Sequence, residues 1–396
     1  MEKIDEVLTR SVESLYPNRE YVSDVLKSGK KIRIYTGIDP TGELHIGHLV
    51  VLRKLREFQE MGHEIIVLIG DFTARIGDPT DKAATRKKLS REEVEENAKN
   101  YKELIGKVLD TSSANLRFLH NEEWSNKLKP EDMLELASHF TVQQLIERDM
   151  FQERLKAGKE IYLHEFLYPI FQAYDSVTMN VDMEIGGNDQ TFNMLAGRSL
   201  MKKKENKEKM VIATKLLTGS SGKKMSKTEG STVMLSDAPN DMFGKIMALP
   251  DELIINGFEL LTDKPLAEIE KLKNQLGKTV HPKEAKEELA YDLTKQLHSE
   301  EEAKLAKEGF DKVHRQGEVP QEISEIEAQG DEISAIDALI LSRLASSRSE
   351  ATRLVKQGGV KIDGQKVANI DEKISLKKPI VLQVGKLKFI KIKSGS

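Results

Sequence analysis

Apolar residues along the chain recur with two periods, and their alternation predicts the architecture. The stretch "KKIRIYTGIDP" reads as a lysine-led strand over Lys31–Thr36, stopped by Gly37 and Pro40. In "HLVVLRKLREFQEMG", Leu49, Leu52, Leu55 and Phe58 recur at helical spacing, and Gly62 stands where a C-terminal cap belongs. "HEIIVLIGD" is a continuous apolar run, as expected of a strand buried on both faces. Strand, helix and strand in so short a span predict a βαβ unit and a parallel sheet. The loop "TGELHIGH" follows the first strand and opens the first helix, which is where open α/β sheets bind nucleotides.

Charged helical sequence covers Arg91–Val108 and again Glu131–Leu155. "VDMEIGGNDQTFNMLAGRSLM" predicts another strand, a Gly-Gly turn and another helix, and "VIATKLL" a further strand. "TGSSGKKMSKTEGST" breaks all periodicity and predicts a loop. From Pro239 to Gln316 the pattern is helical and strongly charged. "GEVPQEISEIEAQGDEIS" has few large apolar residues and reads as an acidic connector. The remaining residues form a small separate unit: "LASSRSEATRLVKQGGVKIDGQKV" predicts helix, Gly-Gly stop, strand, Asp-Gly hairpin turn and strand.

Composition narrows the chemistry. The chain has 396 residues, 38% hydrophobic and 32% charged, the profile of a soluble globular protein of two or three domains. No stretch approaches the ~18 apolar residues of a membrane span, and "MEKIDEVLTR" carries acids where a secretory signal carries none. Cysteine is absent, which removes disulfides, thiolate metal sites and cysteine nucleophiles and leads to the expectation of a cytoplasmic protein. The net charge of −4 is uneven: Ser334–Ser396 holds 13 Lys plus Arg against 5 Asp plus Glu, or +8, leaving −12 for the rest. A basic tail on an acidic body suggests that one end meets a polyanion, with a solvated lysine-rich surface as the alternative.

His45 and His48 flank Gly47 in the loop after the first strand. A metal site needs three or four ligands, and the loop adds only Glu43, so no bound metal is expected. The Gly42–Gly47 spacing approaches a phosphate loop, but His48 stands where that motif needs lysine. Imidazole N–H groups at a helix N-terminus can instead stabilise phosphate oxygens. About 180 residues later, Lys223, Lys224 and Lys227 sit in the Gly/Ser-rich loop. Lysines so placed can close over a triphosphate and follow charge developing on a leaving pyrophosphate.

Together, "HIGH" and "KMSKT" resemble the paired signatures of class I aminoacyl-tRNA synthetases, which activate an amino acid with ATP on a Rossmann-like domain. "YTGIDPTGELHIGH", "LIGDFTARIGDPT", "LHEFLYPIFQAYDSV" and "EIGGNDQTFN" further resemble blocks of the bacterial tyrosine enzymes of this class. The tail resembles their S4-type RNA-binding domain. The fold so implied is α/β: a Rossmann-like parallel-sheet catalytic domain (1–235), an α-helical anticodon-side domain (236–320), a linker (321–333) and a small α+β RNA-binding domain (334–396).

The resemblance also implies site roles. Thr41, His45, His48, Lys224 and Lys227 would act in catalysis, and Gly37, Asp39, Gly47, Gly187, Asp189 and Lys227 would bind ATP. Tyr168, Gln172 and Asp175 fall at i, i+4 and i+7 on one helix face. Asp175, with Tyr35, would meet the phenol of tyrosine; Asp78, Tyr168 and Gln172 would hold its ammonium group; Gln190 would serve the carboxylate side. In the tail, Ala351, Leu354 and Val355 form an apolar stripe, and Arg348, Arg353, Lys356 and Lys361 are the candidate RNA phosphate contacts. The implied ligands are L-tyrosine, ATP accompanied by Mg²⁺, and tRNA, with a homodimer and neither membrane nor DNA as partner. "GDPTDK" places Asp81 where the family has glycine, which leaves the roles of Lys82 and Arg86 open. A synthetase-like RNA binder without ligase activity and a small-molecule adenylyltransferase are the competing classes. The first has no reason to keep HIGH, KMSKT and Asp175; the second has no need of the tail.

Overall fold

The computed structural model describes residues 3–78, 90–218, 232–316, 325–345, 347–367, 369–370, 372–385 and 388–395. Its chain divides into two compact units, Met1–Ala238 with Lys245–Ser299, and Pro239–Gly244 with Glu300–Ser396.

The first unit is built on a six-stranded sheet: β1 (Val12–Tyr16), β2 (Arg33–Ile38), β3 (Glu64–Ile69), β4 (Leu116–His120), β5 (Met183–Gly187) and β6 (Met210–Thr214). The spatial order is β1-β6-β5-β2-β3-β4, parallel throughout except for β1 at one edge. The predicted βαβ unit is present, with α1 (Ile46–Glu60) between β2 and β3. Leu49, Leu52, Leu55 and Phe58 are its fully buried face. In β3, every residue from Ile65 to Ile69 is buried, which explains its unbroken apolar sequence.

β1 and β4 were not evident from the pattern. Both are short and half-exposed, so the apolar alternation that would announce them is weak. The run Arg91–Val108 is two helices, Arg91–Ala98 and Tyr101–Gly106, and Glu131–Leu155 falls on three. The helical region after Pro239 is present as helices Ile254–Leu261, Leu266–Gln275 and Pro282–Leu297 in the first unit and Glu300–Gln316 in the second.

β2 has β5 on one side and β3 on the other, so the order in which the chain adds parallel strands reverses there. The ends of β2 and β5 flank this switch point, the crevice where open parallel sheets bind ligands. Next to β5, α2 (Leu167–Thr178) packs on α3 (Thr191–Glu205).

In the second unit, a five-stranded sheet of order β10-β9-β12-β13-β7 joins β7 (Glu325–Gln329), β9 (Val360–Ile362), β10 (Gln365–Lys366), β12 (Ile380–Val384) and β13 (Lys388–Gly395). A two-stranded ladder pairs β8 (Glu332–Ser334) with β11 (Lys373–Ser375). The predicted hairpin turn is at Asp363 (φ 45°) and Gly364 (φ 81°), between β9 and β10. Part of the acidic segment read as a connector is therefore strand. β7 runs parallel to β13 with Glu325 opposite Lys391 and Glu327 opposite Lys393, and both pairs are ion-paired. Only Ile326 and Ala328 face the core, so cross-strand charge rather than apolar content marks this strand. Some of the basic charge of the tail is thus matched within its own sheet.

Candidate active site

The loop after β2 explains its two histidines by backbone geometry. His45 is the N-cap of α1, and its Nδ1 accepts from Gly47 N at 3.1 Å. His48 Nδ1 accepts from His45 N at 3.1 Å, and the two rings lie 4.2 Å apart. The pair is a reciprocal capping arrangement built from imidazoles. With each Nδ1 used as an acceptor, the neutral rings carry their protons on Nε2. Gly47 is required by this contact, because a Cβ there would lie 2.8 Å from His45 Cε1. Helices behind the loop brace it: Asn97 Nδ2 donates to Pro40 O at 2.9 Å, and the Tyr101 hydroxyl donates to Gly42 O. Thr41 is half-buried, its N–H donating to Asp39 O at 2.7 Å. Gly37 is exposed at the end of β2.

Lys224 and Lys227, with Asp81, Lys82 and Arg86, lie outside the described residues. The chain that follows the lysine loop is described, and it docks on the histidine loop. Ile46 N donates to Val233 O at 3.0 Å, Leu235 N donates to Leu44 O at 2.9 Å, and His45 forms an antiparallel bridge with Met234. Ser236 Oγ donates to Glu43 at 3.3 Å, which engages the carboxylate once weighed as a metal ligand.

Deeper in the crevice, carboxylates converge. The Tyr168 hydroxyl donates to Asp39 Oδ2 at 2.8 Å, and Thr73 Oγ1 donates to Asp39 Oδ1 at 2.7 Å. Asn121 Nδ2 reaches both Thr73 Oγ1 (3.1 Å) and Asp175 Oδ2 (3.2 Å), while Trp124 Nε1 donates to Asp175 Oδ1 at 2.7 Å. Burial dominates the electrostatics and raises the carboxyl of Asp39 to about 7 and that of Asp175 to about 8, against the opposing effect of those donors. Burial likewise pushes the Tyr168 phenol well above its usual range, with Asp39 and Asp78 adding to the shift.

Gln190 Nε2 donates to Asp78 Oδ2, and Asn193 Nδ2 donates to Gln190 Oε1 at 2.9 Å. The buried Arg148 guanidinium approaches Asp78 at 3.7 Å and lies 5.0 Å from the centre of the Phe192 ring. Desolvation lowers its pKa. At the end of β5, a Cβ on Gly187 would lie 2.4 Å from Asp189 Oδ1, so glycine there lets Asp189 fold back over the strand end.

Gln172 Nε2 donates to Glu184 Oε1 at 3.0 Å, and Lys209 donates to Glu184 Oε2. Lys209 also donates to Ser176 Oγ at 2.9 Å, and Ser176 shares a 2.9 Å hydrogen bond with the Tyr35 hydroxyl. Tyr35 is fully enclosed, so its hydroxyl is engaged within the protein at this cluster.

The structure thus links Tyr168 to Asp39, Gln190 to Asp78 and Gln172 to Glu184, with Asn121 joining Thr73 to Asp175, while His45 and His48 cap the helix that follows β2. Thr73, Asn121, Trp124, Arg148, Glu184 and Lys209 were not singled out from sequence. Each is an ordinary polar residue in or beside an element, and only its partners in the folded chain mark it. In the second unit, α4 (Arg348–Lys356) buries Ala351 and Val355 and half-buries Leu354, leaving Arg348, Arg353 and Lys356 exposed; Lys361 on β9 is half-exposed. Arg348 is paired with Asp337.

Two family models match the chain: tRNA synthetases class I (W and Y) over residues 27–315, and the S4 domain over residues 336–377. A tyrosine--tRNA ligase of Thermotoga maritima is 44% identical, covering 98% of this chain and 97% of its own length. One of Aquifex aeolicus is 43% identical, covering 93% of each. Among solved structures, the Archaeoglobus fulgidus tyrosyl-tRNA synthetase complexed with L-tyrosine superposes with a TM-score of 0.60 at 23% identity. It covers 77% of this chain and 99% of that one, and the likeness is one of fold.

Proposed function

Since the chain belongs to the class I tRNA synthetases of the W and Y group, we propose that its switch-point crevice is where tyrosine meets ATP. The reaction is the ligation of tyrosine to its tRNA. The tyrosine carboxylate attacks the α-phosphorus of ATP, the bond to the β-phosphate oxygen breaks, and tyrosyl-AMP and pyrophosphate result. A ribose hydroxyl of the tRNA 3′-terminal adenosine then attacks the acyl carbonyl, and AMP leaves.

Asp175 receives the phenol, and the ring of Tyr35 closes the wall behind it. Asp78, Tyr168 and Gln172 hold the ammonium group, with Gln190 on the carboxylate side. Gly37, Asp39, Gly47, Gly187 and Asp189 line the ATP. In adenylation the carboxylate is already a nucleophile, so that step needs no general base and its rate enhancement is positional and electrostatic; in the transfer step the proton of the ribose hydroxyl passes to the departing AMP phosphate. Thr41 and the Nε2–H groups of His45 and His48 act on the phosphates from one side, and Lys224 and Lys227 act from the other. Mg²⁺ arrives with the ATP phosphates; among the described residues no cluster of three or more His, Asp or Glu could hold a resident ion.

The observation that carries this reading is the pairing of Leu44–Ile46 with Val233–Leu235, which anchors the end of the lysine loop beside the histidines. Exposed Arg353 and Lys356 support tRNA phosphate contact by the tail, with Arg348 and Lys361 beside them. Leu134, Val142, Leu155, Tyr162 and Leu163 are exposed large apolar side chains that support a homodimer. The translation substrates support a cytoplasmic location; no helix among the described residues is long and apolar enough to cross a membrane.

ATP–pyrophosphate exchange with each amino acid tests the site. Tyrosine alone should stimulate exchange. Stimulation by a different amino acid would overturn the pocket, and no exchange with any would favour an RNA binder without ligase activity.

A further inference from the structure

At the back of the crevice lies an ion pair that the reaction itself does not use. Lys209 is 0% exposed and Glu184 2% exposed. Glu184 stands on β5 and Lys209 at the residue before β6, so adjacent strands hold the two together. Replacing such a pair by apolar residues is often neutral or stabilising, so stability alone gives little reason for it. Its contacts suggest another role. Glu184 Oε2 takes Lys209, and Oε1 takes the Gln172 amide nitrogen at 3.0 Å.

We propose that the buried Glu184–Lys209 pair is a positioning device that fixes which end of the Gln172 amide faces the tyrosine pocket. An amide side chain has two ends of opposite polarity and similar shape, so packing alone sets its direction poorly. A carboxylate only accepts hydrogen bonds. With Glu184 behind it, Gln172 must turn its NH₂ inward to the carboxylate. Its carbonyl oxygen then faces away, as an acceptor suited to a substrate ammonium group. Lys209 supplies the compensating charge that makes a carboxylate tolerable at this depth, and it is itself held by Ser176, which is tied to Tyr35. Glu184 and Lys209 touch no substrate in this scheme; they act through Gln172. The proposal rests on the assignment of Gln172 to the ammonium group of tyrosine.

The test uses a near-isosteric change, Glu184→Gln, in the full chain. Lys209 donates only, so it claims the carbonyl oxygen of the new amide, whose NH₂ then faces Gln172. Gln172 must rotate and present its own NH₂ to the pocket. The dissociation constant for L-tyrosine should rise on the order of tenfold. That for 3-(4-hydroxyphenyl)propionate, the same molecule without its ammonium group, should change less than about twofold, because no group facing the missing ammonium matters to it. In Glu184→Gln/Lys209→Met the competing donor is gone and the new amide can again offer its oxygen to Gln172, so most of the lost tyrosine affinity should return. Unchanged tyrosine binding in Glu184→Gln, equal losses for both ligands, or no recovery in the double variant would overturn the positioning role. The wild-type protein separates this from failure of the underlying assignment. If it binds the two ligands equally well, Gln172 does not serve the ammonium group, and the proposal falls with that assignment.

Discussion

The mouth and the depth of the crevice are built on different principles. At the mouth, His45 and His48 are fixed by backbone groups of their own turn, two and three residues away. In the depth, Tyr168 is held by Asp39, Asp175 by Trp124 and Asn121, and Gln172 by Glu184, each from a different element. His45 and His48 at the mouth are half-exposed, as the proposed entry of a triphosphate would require. In the depth Tyr168, Asp175, Asn121 and Glu184 are buried, and burial makes their hydrogen bonds selective, because a buried group left without its partner keeps its full desolvation penalty. In the proposed reaction, exchange of a charged ligand and discrimination of a ring hydroxyl thus draw on these two groups of residues respectively.

The largest effect should come from breaking the depth. Asp175→Ala removes the buried acceptor for the phenol and strands Trp124 Nε1 and Asn121. Tyrosine-dependent exchange, as kcat/KM, should fall by at least about 100-fold, while any residual activity prefers phenylalanine more than the wild type does. Retained preference for tyrosine would move phenol recognition elsewhere.

A smaller loss is expected at the mouth from Gly47→Ala, whose Cβ would collide with the His45 ring. The adenylation rate should drop by about tenfold while tyrosine affinity, measured by equilibrium dialysis, stays near that of the wild type. A variant that loses tyrosine binding instead would show that mouth and depth are not separable.

Titration offers a third contrast. The carboxyls of Asp39 and Asp175 are raised to about 7 and about 8 from the ordinary 3.8, so the folded chain holds more protons than the unfolded chain across that window. Their contribution to stability is present at about pH 4 and is lost as pH rises through about 8. The melting temperature of the ligand-free protein should therefore fall more steeply between about pH 5 and pH 8 in the wild type than in Asp175→Asn. Parallel pH profiles would remove Asp175 as a buried proton acceptor.

The smallest effect belongs to the tail. Replacing Arg353 and Lys356 with alanine should weaken tRNA binding several-fold, shallow its dependence on log salt by about one per lost contact, and leave tyrosine-dependent exchange unchanged. An unaltered salt slope would identify the two as ordinary surface charges.

The position of the histidine loop was legible in sequence because a strand end and a helix start are set by local periodicity, whereas the reciprocal capping by the two imidazoles emerged only in the structure. The parallel sheet, α1, β3 and the Asp-Gly hairpin were legible for the same reason, since periodicity and turn chemistry act within a few residues. β7 was not, because its partner strand lies some 60 residues further on and charge pairing, not apolar alternation, holds it there. The helix carrying Tyr168, Gln172 and Asp175 announced a shared face but not what each would meet.

What the sequence by itself determined is the strand–helix–strand order of β2, α1 and β3, the histidine loop at a strand end and the lysine motif that completes its signature. The tertiary structure alone decided that Val233–Leu235 returns to the histidine loop, that Asn121 and Trp124 bracket Asp175, and that Glu184 and Lys209 stand behind Gln172. The reason is physical. A hydrogen bond or ion pair becomes selective only once water is excluded, and exclusion is a property of the packed sheet and helices together, which no single stretch of residues encodes.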